Sequence, residues 1–102
     1  MKEWIEVAHK SDCPPQSSLE LVVEDRVIAL YNINDTFYAL DGVCPHQGGP
    51  LGKGRLDGCV VTCPWHGRQF DIRTGADQLN SNIRQPVFDV RVEGERVLLR
   101  IT

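Results

Sequence analysis

The stretch CPHQGGPLGKG, from Cys44 to Gly54, constrains this chain more than any other. After His46 it places Gly48, Gly49, Pro50, Gly52 and Gly54 close together. Proline removes a backbone donor and glycine weakens regular structure by its conformational freedom, so neither a helix nor a regular strand tolerates this composition. The stretch has to be a stiff, bent loop. A second loop of related composition, CPWHG, starts at Cys63. The remainder of the chain has to supply a frame that holds both.

That frame reads as β-structure. WIEVAH is a weakly alternating strand, and SDCPPQSS is a loop. Strands are expected over 19–23, 27–32 and 36–40, joined by tight turns at Glu24-Asp25-Arg26 and Ile33-Asn34-Asp35. RLDGCVVTC predicts a hairpin turning at Asp57-Gly58, where glycine supplies a positive φ. RQFDIRTG is a further short strand, the stretch 76–86 is polar and irregular, and VFDVRVEGERVLLRI is the clearest hairpin. Repeats, low-complexity segments and long amphipathic helices are lacking. The reading is one all-β domain over 1–102, an antiparallel sandwich or partial barrel, with a small subdomain over about 42–75 inserted in the β-base.

At 102 residues the chain suits a single core, and its 41% hydrophobic and 25% charged residues are ordinary for a soluble protein. A net charge of −3 gives no electrostatic case for nucleic acid or an anionic membrane, and points only faintly to a basic protein partner. The start, MKEWIEVAHK, shows no signal-peptide pattern, and the longest apolar runs are too short to span a bilayer. A cytoplasmic protein is expected, in which cysteines serve metals or reactive chemistry rather than disulfides.

Two motifs carry that chemistry: Cys44-Pro45-His46 and Cys63-Pro64-Trp65-His66. The predicted hairpin between them returns the chain beside its start, so that the two loops can face one centre. Two thiolates and two imidazoles suit zinc as Cys₂His₂, or a [2Fe–2S] cluster with one iron on sulfur and one on nitrogen. Zinc loops usually leave two residues or more between paired ligands; the single residue between Cys44 and His46 is easier to accommodate if they hold different irons. Pro45 and Pro64 stiffen the loops. Gly48 and Gly49, without side chains, can bring backbone N–H groups close to a bridging sulfide.

CPHQGGPLGKG followed by CPWHGRQFDIRTG resembles the cluster-binding motif of Rieske [2Fe–2S] proteins, and with the flanking strands the resemblance covers nearly the whole chain. It implies one cluster per chain, with Cys44 and Cys63 on one iron and His46 and His66 on the other. It implies a β-base carrying a cluster-binding subdomain, histidines near the surface, and a shielding segment on the approach to Pro86. The chain departs from the Rieske proteins of respiratory and photosynthetic complexes. Their two loop-joining cysteines correspond to Gly49 and Trp65 here, and their cluster-bonding serine and tyrosine to Arg68 and Phe70. Fewer donors place the expected potential toward the low end of the range, roughly −150 mV.

The resemblance is strongest to soluble Rieske ferredoxins. It implies an electron carrier, not an enzyme by itself, that takes single electrons from a flavoprotein reductase and passes them to a terminal oxygenase of a dioxygenase or monooxygenase system. Transient docking around His46 and His66, and a monomer, are expected. Two alternatives stay open: a small Rieske subunit of a nitrite reductase-type complex, and a structural Cys₂His₂ zinc module. Outside the motifs, Cys59 is expected in the core and Cys13 as an exposed thiol in a proline-rich loop. His9 reads as a solvated strand end, and Trp4 and Phe88 as core residues. Trp65 reads as packed beneath its loop. Arg68 is either solvated or a donor to a partner carboxylate, and Gln47 either an exposed loop tip or part of a docking rim.

Overall fold

The computed structural model describes residues 3–44, 48–65, 67–80 and 82–101. Within them the chain forms strands β1 (Ile5–His9), β2 (Ser17–Val23), β3 (Arg26–Ile33), β4 (Thr36–Asp41), β5 (Arg55–Asp57), β6 (Val60–Thr62), β7 (Gln69–Asp71), β8 (Val87–Glu93) and β9 (Arg96–Arg100). Two short 3₁₀ turns, Lys10–Asp12 and Leu51–Lys53, complete the regular structure. No helix among the described residues is long and apolar enough to cross a membrane.

Six strands make one antiparallel sheet in the order β1-β9-β8-β4-β3-β2, and β5-β6-β7 make a second. The large sheet curls until its edge strands β1 and β2 flank a shared groove of mixed lining, with Ile5, Val7, Leu21 and Val23 beside Glu6 and Glu24. The expected partial barrel with a small added unit is therefore the fold observed. The turns are tighter than the sequence suggests. Glu24 and Asp25, and again Asn34 and Asp35, all take positive φ, as two-residue hairpins require.

β3 explains how the two sheets join. One of its faces, through Ile28 and Leu30, packs with Phe37, Ala39, Phe88, Val97 and Leu99 inside the curled sheet. The other, through Ala29, Tyr31 and Ile33, packs with Leu51, Val61, Phe70 and Ile72 beneath the small sheet. A strand buried on both faces loses its alternation and reads as a continuous apolar run. VIALY is such a run. Each large side chain buried there contributes about 1.5–3 kcal/mol, which ties the small sheet firmly to the large one.

Three expectations are corrected. Cys13 is fully buried, because the Asn32 side chain holds its carbonyl at 2.8 Å and the proline loop folds inward over β3. Burial raises its thiol pKa. Cys59 is only half-buried, since it sits on the β5–β6 turn rather than inside the strand. Trp4 is half-buried on the outer surface between the guanidinium groups of Arg100 and Arg91, 4.7 and 5.7 Å from its ring. Phe88 lies in the core and His9 is exposed at the end of β1, as expected.

Candidate metal centre

Both motif loops are built on one backbone plan. In the first, the Cys44 N–H donates to the Gly49 carbonyl and the Gly48 N–H donates to the Cys44 carbonyl, each at 2.8 Å. In the second, the Cys63 N–H donates to the Arg68 carbonyl at 2.8 Å and the Gly67 N–H to the Cys63 carbonyl at 3.0 Å. The fifth residue of each loop is a glycine with φ +77° at Gly48 and +74° at Gly67. That left-handed turn is what permits Cys-Pro to be followed so soon by a reversal. The signal was present in the sequence as Cys-Pro with Gly four residues on, twice.

The loops meet at Gly49. A Cβ there would lie 2.6 Å from the Cys63 sulfur and 3.3 Å from the Trp65 Cβ. Only a residue without a side chain lets the first loop close over the second. The two positions that the resemblance matches to loop-joining cysteines, Gly49 and Trp65, are thus adjacent at the junction. Cys44 and Cys63 are both buried, at 2% and 1% exposure, in the core cluster that also holds Tyr31, Leu51 and Phe70. The expected histidine ligands, His46 and His66, and Gln47 lie outside the described residues.

The Gly48 N–H was expected to approach a bridging sulfide; its bond to the Cys44 carbonyl commits it within the loop instead. Phe70 is fully buried under the loops and offers no hydroxyl. Tyr31, which sequence reasoning missed, reaches the same core from β3. Burial, and then the nearby Cys63, push its hydroxyl well above the usual range. The Tyr31 hydroxyl donates to the Leu51 carbonyl at 2.8 Å, steadying the 3₁₀ turn after the first loop.

The stretch 76–86 is fastened to both loops. Asp77 is buried and binds the Arg68 guanidinium, so Arg68 is paired within the chain. Burial alone would raise the Asp77 carboxyl. The Leu79 and Asn80 N–H groups, at 2.8 and 3.3 Å, and Arg68 outweigh it and hold the pKa below the ordinary carboxylate value. At the other end, the Gln85 side-chain amide donates to the carbonyls of Asp41 and Val43, each at 2.6 Å, immediately before Cys44. The turn at Gly75 (φ +79°) accepts the Gln85 N–H at 2.7 Å, and a Cβ there would lie 2.0 Å from the Gln85 carbonyl oxygen. Neither Gln85 nor Asp77 was singled out from sequence, because a polar residue in an irregular stretch gives no sign of a distant partner. Trp65 corrects its expectation: it is 59% exposed, beside Cys63.

The model of the Rieske [2Fe-2S] domain family matches residues 3–95, and the chain belongs to that family. It is 30% identical to the ferredoxin component of the naphthalene 1,2-dioxygenase system of Pseudomonas aeruginosa, over 99% of this chain and 98% of that one. Among solved structures, the ferredoxin of carbazole 1,9a-dioxygenase from Nocardioides aromaticivorans IC177 matches with a TM-score of 0.90 and 25% identity, covering 97% of this chain and 98% of that one. A complex of reduced oxygenase and oxidized ferredoxin in carbazole 1,9a-dioxygenase matches with a TM-score of 0.85 and 33% identity, over 95% and 92%.

The site fits such a cluster on its own chemistry. Two buried sulfurs stand at equivalent positions of twin loops, the junction glycine has no side chain to displace the Cys63 sulfur, and the loops are held from beneath by an apolar core.

Proposed function

We propose that this protein is a soluble electron carrier, the ferredoxin component of a ring-hydroxylating oxygenase system, and not an enzyme in its own right. It receives single electrons from a flavoprotein reductase and delivers them to a terminal oxygenase. The observation that carries the reading is the pair of twin loops with Cys44 and Cys63 buried at matching positions, in a chain that aligns over nearly its whole length with a dioxygenase ferredoxin component. The cluster, when bound, supplies the one-electron chemistry.

On this reading Cys44, His46, Cys63 and His66 hold one [2Fe–2S] cluster per chain, the cysteines on one iron and the histidines on the other. The whole of 1–102 is one Rieske domain, with residues 42–75 as its cluster-binding part. The twin backbone bonds hold both cysteines at matching positions of their loops, and Asp77 and Gln85 tie the following segment to the loops' flanks. Partners dock briefly around His46 and His66, on the small, weak interface that turnover requires. The protein acts as a monomer in the cytoplasm.

The test is direct. Purified protein is expected to be red-brown, with two iron and two acid-labile sulfide per chain, and to mediate electron flow from a reductase to an oxygenase. A colourless, zinc-bearing protein overturns the reading. The midpoint potential is expected toward the low end of the Rieske range, roughly −150 mV, since Phe70 has no hydroxyl and that of Tyr31 is given to Leu51. A redox titration with a midpoint above about +100 mV contradicts it.

A further inference from the structure

The chain's net charge of −3 conceals a division. Residues 42–86 contain five basic and three acidic side chains, whereas the remaining residues contain six and eleven. The strand register then sorts the charges of the small sheet along its length. Arg55, Thr62 and Gln69 are aligned across β5, β6 and β7 at the end from which Cys63 emerges. Asp57, Val60 and Asp71 are aligned at the opposite end. There Asp71 is further neutralised by Arg73 at 2.9 Å.

At the cluster-loop end the carboxylates are withdrawn. Asp77 is buried against Arg68, and Asp41 pairs with Arg26 at 3.7 Å. Lys53, on the 3₁₀ turn after the first loop, and Arg55 are exposed. Among the described residues neither has a carboxylate within ion-pair reach. Glu20 of β2 packs on Gly52 without pairing with Lys53. Exposed apolar side chains accompany the loops: Trp65 in the second loop, Val43 just before the first, at 44% exposure, and Leu79, 97% exposed and bonded through its N–H to Asp77. Exposed aromatics and arginines are residues that protein interfaces favour.

We propose that the surface around the cluster loops is a cationic docking face, with Trp65 exposed in the second loop and Lys53 and Arg55 as its cations, and that the redox partner seated on it presents a carboxylate-rich surface. The proposal rests on the electron-carrier reading. Charge complementarity of this kind sets encounter rate and orientation more than affinity, which suits a carrier that has to let go. It also turns the acidic base away from an acidic partner, so that the molecule's own dipole orients the approach.

The test uses the cluster-loaded, reduced protein and two small oxidants of opposite charge, ferricyanide and hexaamminecobalt(III). Stopped-flow oxidation by ferricyanide is expected to slow by about threefold or more as salt rises from low to physiological strength, while oxidation by the cobalt complex speeds up. The double variant Lys53→Glu with Arg55→Glu is expected to flatten or invert the ferricyanide dependence. Glu95→Lys, on the β8–β9 turn, is expected to leave it as it was. As a readout independent of redox, a fluorescein-labelled decaaspartate peptide should show a rise in anisotropy with wild type at low salt that the double variant abolishes. A ferricyanide rate that rises with salt in wild type, as the net charge alone dictates, overturns the proposal, as does a double variant indistinguishable from wild type. A protein that exchanges no electron with either oxidant overturns the carrier reading itself, and this proposal with it.

Discussion

The loops at Cys44–Gly49 and Cys63–Arg68 share their backbone hydrogen bonds and their left-handed glycine, and they part company at the sixth residue. Gly49 is bare, and the Cys63 sulfur fills the space where its side chain would stand. Arg68 reaches outward to a buried carboxylate on another segment. One loop receives and the other anchors. Identical backbone geometry therefore does not give equal tolerance: what a position can accept is set by what lies against it.

Breaking the receiving side should have the largest effect. Gly49→Val puts a branched side chain against the Cys63 sulfur and Trp65. Overpacking of this kind costs about 1–3 kcal/mol. The displaced sulfur should also cost the protein most of its bound iron, read by iron analysis alongside a denaturation curve. Full iron content in this variant would mean that the loops do not close as described.

Breaking the anchor comes next. Asp77→Asn removes a charge-assisted bond and weakens two backbone contacts, for an expected loss of about 1–3 kcal/mol. Its pH signature distinguishes it from general damage. The folded-state pKa of Asp77 is lowered, so its contribution is present above the ordinary carboxylate value near 4 and is lost as pH falls through the folded value. Chemical denaturation at pH 6 should separate wild type from Asp77→Asn, and the gap should close toward pH 3. A gap that widens on acidification would reverse the sign of this account.

The shared frame makes a smaller and sharper prediction. Gly48→Ala and Gly67→Ala each force a side chain into positive φ with no steric contact closer than 3.9 Å. Each should cost about 1–2 kcal/mol, and the two costs should be nearly equal. A large difference would show that the loops are twins only in outline. Smallest of all, Cys59→Ser on the half-buried β5–β6 turn should change stability by no more than about 0.5 kcal/mol and leave iron content intact.

These contrasts also mark what the sequence made legible. Strand type, the Asp57-Gly58 hairpin and the β8–β9 hairpin follow from local pattern and turn chemistry, which act over a few residues. The twin Cys-Pro loops were legible because metal chemistry restricts both residue type and spacing, and Cys44 and Cys63 are buried at matching positions. Cys13 was misread because its burial comes from Asn32 and Leu30 on another strand, and nothing in SDCPPQSS foretells them. Gln85 acts on carbonyls more than forty residues earlier in the chain, and Asp77 on an arginine across a turn. Trp65 looked like a packing residue from its size alone, but it lies outside both core clusters and is 59% exposed beside Gly49. The misses share one physical origin: a polar or aromatic side chain declares its chemistry in sequence, but not its neighbour.

The fastening of segment 76–86 to both loops, by Gln85 on one flank and Asp77 on the other, has a consequence for the rate at which an electron can move. A site that gains or loses one unit of charge has to rearrange its surroundings, and the work of rearrangement sets much of the barrier. Dipoles already held in place rearrange little. With Gln85 holding the Asp41 and Val43 carbonyls and Asp77 holding the Arg68 guanidinium, these dipoles and charges have little turning left to do when an electron arrives or leaves.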